Sequence, residues 1–476
     1  MKIVVVSHLL PPRHEAGTEV YSTRIGAALA RRHEVVLFAA DDDPLLAPGS
    51  VRRRRLGDVD VVEVAESRRA DRPDDSWDNP RAGAAFAGFL TEMRPDVVHF
   101  QNLRFLGFGL VAAAKRAGAA TVLTLNDPWL LCARDGLLLD RNGDFCPGPE
   151  PVRCTNCLEG FRFGLSAAEA SVRRVGAHLR RASGLDPTSL LRRAALVLRR
   201  RGANAPASRN SELAAAVARR TAARDAALGL IDRFIAPSRF IAGLFVAAGV
   251  RAERISVLPY GVDGPVSNAI PHGGGSDALS RSRRPVADSR SVVASPLRVG
   301  FFGIVAPHKG ADVLVDAVRL CPPGRVLAEI FGRDDLRPEY SRPLKKSAAG
   351  LPIRFHGAFR PEHAAALLSR IDVVVVPSRW PENLPQSALE ARACGVPVVA
   401  SAAGGLVEIV RDGVDGRLFP PGDAPALAKI LAELSEDRAL LTGYASRIEP
   451  PPTVESHAAA IEAVYASLAR AAERGH

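Results

Sequence analysis

Lysine is nearly absent from this chain of 476 residues: 6 of its 63 basic residues are lysine and the rest are arginine. Together with abundant alanine this points to a GC-rich genome, so part of the arginine count reflects codon usage. Long uncharged apolar runs are missing as well. A helix that crosses a bilayer needs ~18–20 such residues, so no spanning helix is expected. The first strand-like run, Met1 to Ser7, is too short for a secretory leader and reads as the start of a domain. Six cysteines are too few for a disulfide scaffold. What remains is a chain with 47% hydrophobic and 24% charged residues, a soluble globular composition. It is long enough for two domains with separate cores. A cytoplasmic protein is expected.

The net charge of +11 is concentrated. Between Phe161 and Arg224 there are 14 arginines and three acids, Glu169, Asp186 and Glu212, which accounts for the whole excess. The pairs Arg173/Arg174, Arg180/Arg181 and Arg192/Arg193 and the run Arg199–Arg201 recur at roughly helical spacing beside Val, Leu and Ala. Such a face can dock on anionic lipid, at the inner face of the membrane. It reads equally well as a solvated helical arm. Nucleic acid is disfavoured, because the stretch has no interleaved aromatics and no named motif.

Elsewhere apolar runs alternate with helix-period segments. Strands are expected at Lys2–Ser7, Glu34–Ala39, Asp96–Phe100, Ala120–Leu125, Leu230–Ala236 and Ile255–Leu258, with helices at Thr18–Arg31, Pro80–Glu92, Phe108–Ala117 and Arg239–Ala248. A Gly/Ser/Arg-rich segment, 265–295, reads as a linker. A second series follows, with strands at Leu297–Phe302, Val326–Phe331, Ile353–His356, Val373–Val376 and Val398–Ala400. Alternation of this kind predicts α/β domains with parallel sheets, whose ligands collect at the strands' carboxyl ends.

One stretch carries most of the chemistry. From Pro377 to Val399 a strand, a turn and a helix start place Glu382 and Glu390 eight residues apart. Glu382, Asn383 and Leu384 then stand near a helix N-terminus, where free N–H groups favour a phosphate. Glu390, lower on the helix, can accept hydrogen bonds from two adjacent hydroxyls, as on a ribose. The bland alternative is a further sheet helix with solvated glutamates. This E-x7-E pair, followed by E-A-x-A-x-G-x-P-V-V, resembles the donor-binding signature of retaining glycosyltransferases of family 4.

The resemblance covers most of the chain apart from 126–225. Pro11 to Glu19 is similar to the family's loop before the first helix, with Gly17 giving backbone access to donor phosphates or acceptor, and Ala16 in place of one glycine. Phe234 to Asp263 is similar to its domain-closing segment. Gly303 to Gly310 resembles its G-R-x-x-x-x-K-G loop: Lys309 matches, whereas Ile304 stands at the arginine position. There the cations neutralise the departing diphosphate, so Lys309 is expected to work with helix N-termini and with His308 or Arg333. Gly332, Arg333 and the run Phe355 to Phe359 fall where such proteins line base and sugar, and Gly404 to Glu408 matches a G-G-x-x-E turn.

The resemblance implies two Rossmann-like α/β domains facing a cleft, the glycosyltransferase B (GT-B) arrangement. It implies an acceptor-side domain at 1–264, with a cysteine-bearing loop at 126–160 and an Arg-rich helical insertion at 161–225. A nucleotide-sugar domain follows at 296–450, and a helix at 451–476 packs back on the first domain. The implied activity is transfer of a hexose from a nucleotide diphosphate sugar to a hydroxyl acceptor, polysaccharide or lipid-linked, with retention and without a catalytic metal. Glu382, Lys309 and His99 are the expected catalytic residues. Gly17, Gly303, Gly332, Asn383, Leu384 and Glu390 join the donor side, and Asn126 and Asp127 the acceptor side. Asn126 stands where a histidine is expected. His99, at a strand's carboxyl end, is either functional or a structural core histidine. Cys132, Cys146, Cys154 and Cys157, spaced C-x13-C-x7-C-x2-C, are candidate ligands of a structural zinc ion, with disulfides as the alternative. A non-catalytic nucleotide-sugar binder or scaffold, or a nucleotide-sugar epimerase on the same fold, remains the competing reading.

Overall fold

The computed structural model describes residues 1–184, 208–264 and 295–474. The expected linker, and Arg192, Arg193 and Arg199–Arg201, lie outside the described residues. The chain divides into two compact units, one of Met1–Pro259 with Val454–His476, the other of Tyr260–Thr453.

The first unit holds β1 (Lys2–Ser7), β2 (Glu34–Asp41), β3 (Val51–Leu56), β4 (Val59–Ala65), β5 (Val97–Phe100), β6 (Ala120–Thr124), β7 (Arg233–Ala236) and β8 (Ile255–Val257). They form one sheet in the order β3-β4-β2-β1-β5-β6-β7-β8, parallel except for β3, which runs antiparallel to β4. The second unit holds β9 (Leu297–Phe302), β10 (Val326–Phe331), β11 (Ile353–Gly357), β12 (Val373–Val376), β13 (Val398–Ser401) and β14 (Gly416–Phe419). Its order, β11-β10-β9-β12-β13-β14, is parallel throughout. Both sheets wind outward in two directions from their first strand. The chain order reverses between β1 and β5 in one unit, and between β9 and β12 in the other. Ligand crevices form at such switch points, outside the strands' carboxyl ends.

The central strands are apolar along their whole length because helices cover both faces of the sheet. Ile3 to Val6 and Val373 to Val375 are at most 1% exposed. β3 and β4 were not expected from the sequence. Val-Arg-Arg-Arg-Arg-Leu reads as a charged segment, yet it forms the sheet edge, where Arg52 and Arg54 pair with Glu63 on β4 (both 2.7–2.8 Å). An edge strand guarded by charge also resists pairing with another chain.

The terminal helix Val454–Arg474 belongs to the first unit and is tied to it by buried polar contacts. Tyr465 is fully buried, and its hydroxyl lies 2.6 Å from Nδ1 of His99. The other ring nitrogen of His99 meets Thr124 Oγ1 at 2.7 Å and the Gln101 amide at 3.1 Å. Tyr21 reaches His457 at 2.8 Å. Burial, with His457 nearby, pushes the pKa of His99 down to about 3. A neutral ring accepting at Nε2 from the Gln101 amide fits this, since a proton there would oppose the donor.

A histidine held neutral in the folded state and ordinary when unfolded favours folding above its unfolded pKa, near 6.5, and loses that contribution as pH falls toward 3. The slope is at most ~1.4 kcal/mol per pH unit. Urea unfolding at pH 7, 6 and 5 is therefore expected to show a shallower acid loss in His99→Gln than in the wild type. Equal slopes would assign the acid sensitivity to other groups, His457 first among them.

Candidate active site

In the second unit the switch point brings together two loops distant in sequence. The loop after β9 carries Lys309, and the loop after β12 carries Glu382. Lys309 Nζ lies 2.6 Å from Glu382 Oε1, and Ser378 Oγ donates to the same oxygen at 2.7 Å. Glu382 is 4% exposed, while Lys309 keeps about a quarter of its side chain open. Burial alone would raise the carboxyl pKa; Lys309 and Ser378 outweigh it and hold the group below the usual range. The carboxylate is therefore ionised and aimed by two donors.

The backbone around Glu382 is equally constrained. Gly405 N–H donates to Glu382 O at 2.7 Å, and Gly404 has φ +58°. A Cβ on Gly404 would stand 2.1 Å from that carbonyl oxygen, so the G-G-x-x-E turn closes on the Glu382 loop only without a side chain. Gly332, after β10, plays the same part toward Gly303: its φ is +150°, and a Cβ there would lie 1.7 Å from Gly303 O. Two of the three glycines expected on the donor side, Gly303 and Gly332, thus form one close backbone crossing at the carboxyl edge.

The helix expected near Pro385 runs from Gln386 to Ala393 with Pro385 as its N-cap. Glu382, Asn383 and Leu384 lie in the loop ahead of it, all buried. Glu390 sits half-buried on the helix, two turns behind Asn383 in chain direction. The buried Phe331 is stacked between His356, with ring centres 4.4 Å apart, and Phe302 at 4.8 Å, with His356 as the exposed member.

The two side chains expected to assist Lys309 differ: His308 is neutral near pH 7, and Arg333 is a half-exposed guanidinium. Burial, and then Lys309, pushes the pKa of His308 down to about 4, so it is neutral near pH 7. Arg333 makes a two-point contact with Asp335 at 3.0 and 2.7 Å. Ile304 is half-buried and supplies no charge.

The first unit corrects several expectations. His99 is 0% exposed and both ring nitrogens are engaged, so it anchors the terminal helix and presents no free nitrogen to a ligand. Asn126 is buried, its amide donating to Gln101 O at 2.8 Å and Gln101 Oε1 at 3.0 Å. Asp127 remains partly open at the end of β6, accepting from Asn102 Nδ2 and from Trp129 N–H, both at 2.8 Å. Burial pushes its carboxyl pKa up. Gly17 is exposed and opens the helix Gly17–Ala30. His8, which no motif singled out, follows β1 and sits 3.2 Å from Glu19.

The four loop cysteines do not assemble as ligands. Among the described residues no three His, Cys, Asp or Glu side chains group closely enough to hold a metal ion. The Cys132 thiol turns to Arg134 O at 3.8 Å and the Cys146 thiol to Gly148 O at 3.3 Å, each within its own turn. Burial pushes the Cys132 and Cys154 thiols up. None of the six cysteines is paired in a disulfide.

Part of the arginine-rich insertion serves the fold. Arg173, on the helix Ala167–Ser183, pairs with Asp42 at 2.7 Å; that carboxylate is fully buried and also holds His14 (2.8 Å) and Arg68 (3.1 Å). Arg219, on the helix Ser208–Gly229, pairs with Asp74, and the buried Arg220 donates to the Trp129 and Leu130 carbonyls. The helix Ala167–Ser183 still turns one face outward, with Arg174, Val175, His178, Leu179 and Arg181 exposed.

Because Glu382 is buried, removing its ammonium partner leaves an uncompensated charge. Lys309→Met is expected to destabilise the second unit by about 3–5 kcal/mol. The double variant Lys309→Met/Glu382→Gln should recover a large part of that loss. Thermal unfolding of the two single variants and the double variant forms the cycle; strictly additive effects would mean that the pair is not coupled.

Comparison with known proteins now bears on this geometry. Residues 16–261 match the family model described as glycosyl transferase 4-like domain, and residues 296–437 the model described as glycosyl transferases group 1. A D-inositol 3-phosphate glycosyltransferase of Geodermatophilus obscurus is 34% identical over 280 residues, covering 53% of this chain and 61% of the relative. An amylovoran biosynthesis glycosyltransferase of Erwinia amylovora is 27% identical over 201 residues, covering 41% and 45%. The chain thus spans about half to three fifths of the length of these curated relatives. Among solved structures, HepE of Anabaena in complex with UDP and glucose shares the fold at TM-score 0.57 and 20% identity over 100% of both chains. Sucrose-phosphate synthase from Thermosynechococcus elongatus does so at TM-score 0.62 and 18% identity, over 99% of both. With two parallel-sheet units of the GT-B class, the matched domains and the E-x7-E loop in place, the chain belongs to the group 1, family 4-like glycosyltransferases.

Proposed function

We propose that this protein transfers a hexose from a nucleotide diphosphate sugar to a hydroxyl acceptor with retention at the anomeric carbon. The observation that carries the reading is the ionised, doubly held Glu382 beside Lys309 at the switch point of the second unit. In this reading Glu382 contacts the donor sugar, and Asn383 and Leu384 offer backbone N–H groups. Glu390 accepts from the ribose hydroxyls, while Phe331 and His356 flank the base or sugar. Gly17 belongs to the phosphate or acceptor side. Lys309 has three donors and about a quarter of its side chain open, so it can bind a diphosphate oxygen without releasing Glu382. Charge developing on the leaving diphosphate is then met by Lys309 and by the amides ahead of Gln386, with no metal assigned to the step. Solved relatives hold UDP and UDP-glucose, which makes a uridine nucleotide the first donor to try.

The names of the curated relatives point to acceptors such as inositol phosphate or a growing exopolysaccharide. No helix among the described residues is long and apolar enough to cross a membrane. The exposed face of Ala167–Ser183 supports peripheral contact instead: Val175 (52% exposed) and Leu179 (46%) stand among Arg174, His178 and Arg181. Such contact would bring the first unit to a lipid-linked acceptor at the cytoplasmic surface. A non-catalytic binder is the second reading, favoured by Ile304 and by the absence of charge on His308.

Calorimetry with UDP-glucose, UDP-N-acetylglucosamine, GDP-mannose and ADP-glucose is expected to find one bound donor. Glu390→Ala should weaken it by tenfold or more, from ~1–3 kcal/mol of lost hydrogen bonding. If none binds and Glu390→Ala changes nothing, the donor reading is wrong. Donor bound without any turnover would select the non-catalytic reading.

Flotation with phosphatidylglycerol vesicles should recover the protein at low salt and lose it at high salt. Val175→Asp/Leu179→Asp should abolish recovery. Equal recovery on neutral vesicles would sink the electrostatic contact.

A further inference from the structure

Lys309 and Glu382 belong to a longer seam between the loops after β9 and β12. Arg379 N–H donates to His308 O at 2.9 Å. The Arg379 guanidinium reaches Asp312 Oδ2 through Nη2 at 2.5 Å and Nε at 3.2 Å. Asp312, in the first turn of the helix Ala311–Leu320, also accepts from the Tyr340 hydroxyl at 2.8 Å. Gly310 has φ +69°, and a Cβ there would stand 1.9 Å from Pro377 O, so the loops meet where only glycine fits. Trp380 follows Arg379 directly and is fixed by this seam.

The half-buried Trp380 ring lies against the Lys309 loop. Lys309 Nζ stands over it, 5.5 Å from the ring centre, and the His308 ring meets it at 5.4 Å and 71°. An ammonium within ~6 Å of a ring centre is attracted by the aromatic face, and tryptophan attracts it most strongly. Trp380 Nε1 is buried and makes no full hydrogen bond, yet it stands close enough to Glu382 to favour the ionised carboxylate. The indole thus adjoins both members of the pair, with its face toward the cation and its N–H near the anion. A lysine ammonium rides on a flexible stem, and the 2.6 Å contact with Glu382 fixes its distance but not its direction. The ring face supplies the second constraint. About a quarter of the Lys309 side chain stays open.

We infer that Trp380 is a positioning residue for the proposed transfer: its indole face holds the Lys309 ammonium on Glu382 with its free side open to a nucleotide diphosphate. The inference rests on the nucleotide-sugar reading above and adds to it the residue that aims the cation. Trp380 acts through Lys309 and is assigned no contact with sugar or base.

Ligand charge separates aiming from packing. The full-length protein is titrated with UDP and with UMP, or with the same pair of whichever nucleotide binds in the four-donor calorimetry. Trp380→Leu is expected to weaken UDP by about three- to thirtyfold and UMP by less than about twofold. Trp380→Phe, which keeps a ring face and loses the N–H, should recover part of the loss. Fluorinated tryptophan drains charge from the ring face at nearly constant shape, and the other two tryptophans, Trp77 and Trp129, lie in the first unit. Its incorporation should weaken UDP selectively as well, and it decides the matter if Trp380→Leu lowers the thermal midpoint. Equal losses for UDP and UMP, or UDP affinity unchanged by fluorination, overturn this inference alone. A wild type that binds neither nucleotide overturns the donor reading and this inference with it.

Discussion

A buried carboxylate that stays charged governs the second unit. Glu382 is 4% exposed, and such a group is tolerable only with a cation and donors at hydrogen-bond distance. Its cation, Lys309, comes from a loop 73 residues away in sequence. Those loops meet only because β9 and β12 are neighbours in a parallel sheet. The sheet in turn depends on strands apolar on both faces, and the loops close only where glycines let backbones cross. The ion pair, the sheet order and the glycines are thus one requirement expressed at three scales.

The first unit has the same topology and a different allocation of polar groups. Its buried histidine lies on a central strand, and the space above it is filled by Tyr465 from the chain's end. Burial then removes the charge His99 might have carried. Beyond the strand ends Gln101, Asn102 and Asn126 are buried as well, while His8 and Asp127 keep some exposure. His99, within β5, has no exposure, whereas His8, one residue past β1, keeps a little.

This explains what the sequence could reveal. Strand runs such as Val373–Val376 were legible because a doubly covered strand is apolar at every position. The donor loop was legible because Glu382, Glu390 and their glycines have fixed spacing, which a local pattern preserves. His99 stayed open between a functional and a packing role because nothing local says that Tyr465, more than 360 residues later, covers it. β3 was missed for the opposite reason: its four arginines hide an edge strand whose partners, Glu63 and Asp41, lie on other strands. The cysteine spacing suggested ligands, but spacing does not fix direction, and two of the thiols turn to nearby carbonyls. The arginine-rich insertion is the mixed case. Composition separated neither codon usage from contact nor Arg173, committed to Asp42, from Arg181, left exposed.

The unevenness of the donor side has a physical consequence. Ile304 removes one cation from the loop after β9, burial keeps His308 neutral, and Asp335 engages Arg333. Lys309 is the cation in contact with Glu382 at the switch point, and it already balances that carboxylate. In the proposed reaction an arriving diphosphate would compete with the Glu382 carboxylate for the Lys309 ammonium. Three donors on Lys309 let it serve both, but each contact weakens the other's claim on the same charge. In the proposed transfer, negative charge growing on the leaving diphosphate would draw Lys309 toward it and leave Glu382 less neutralised, beside the sugar on which positive charge develops. A site with a second cation would lack that coupling. Loss of the arginine thus does more than weaken nucleotide binding: it makes Lys309 and Glu382 act as a single unit.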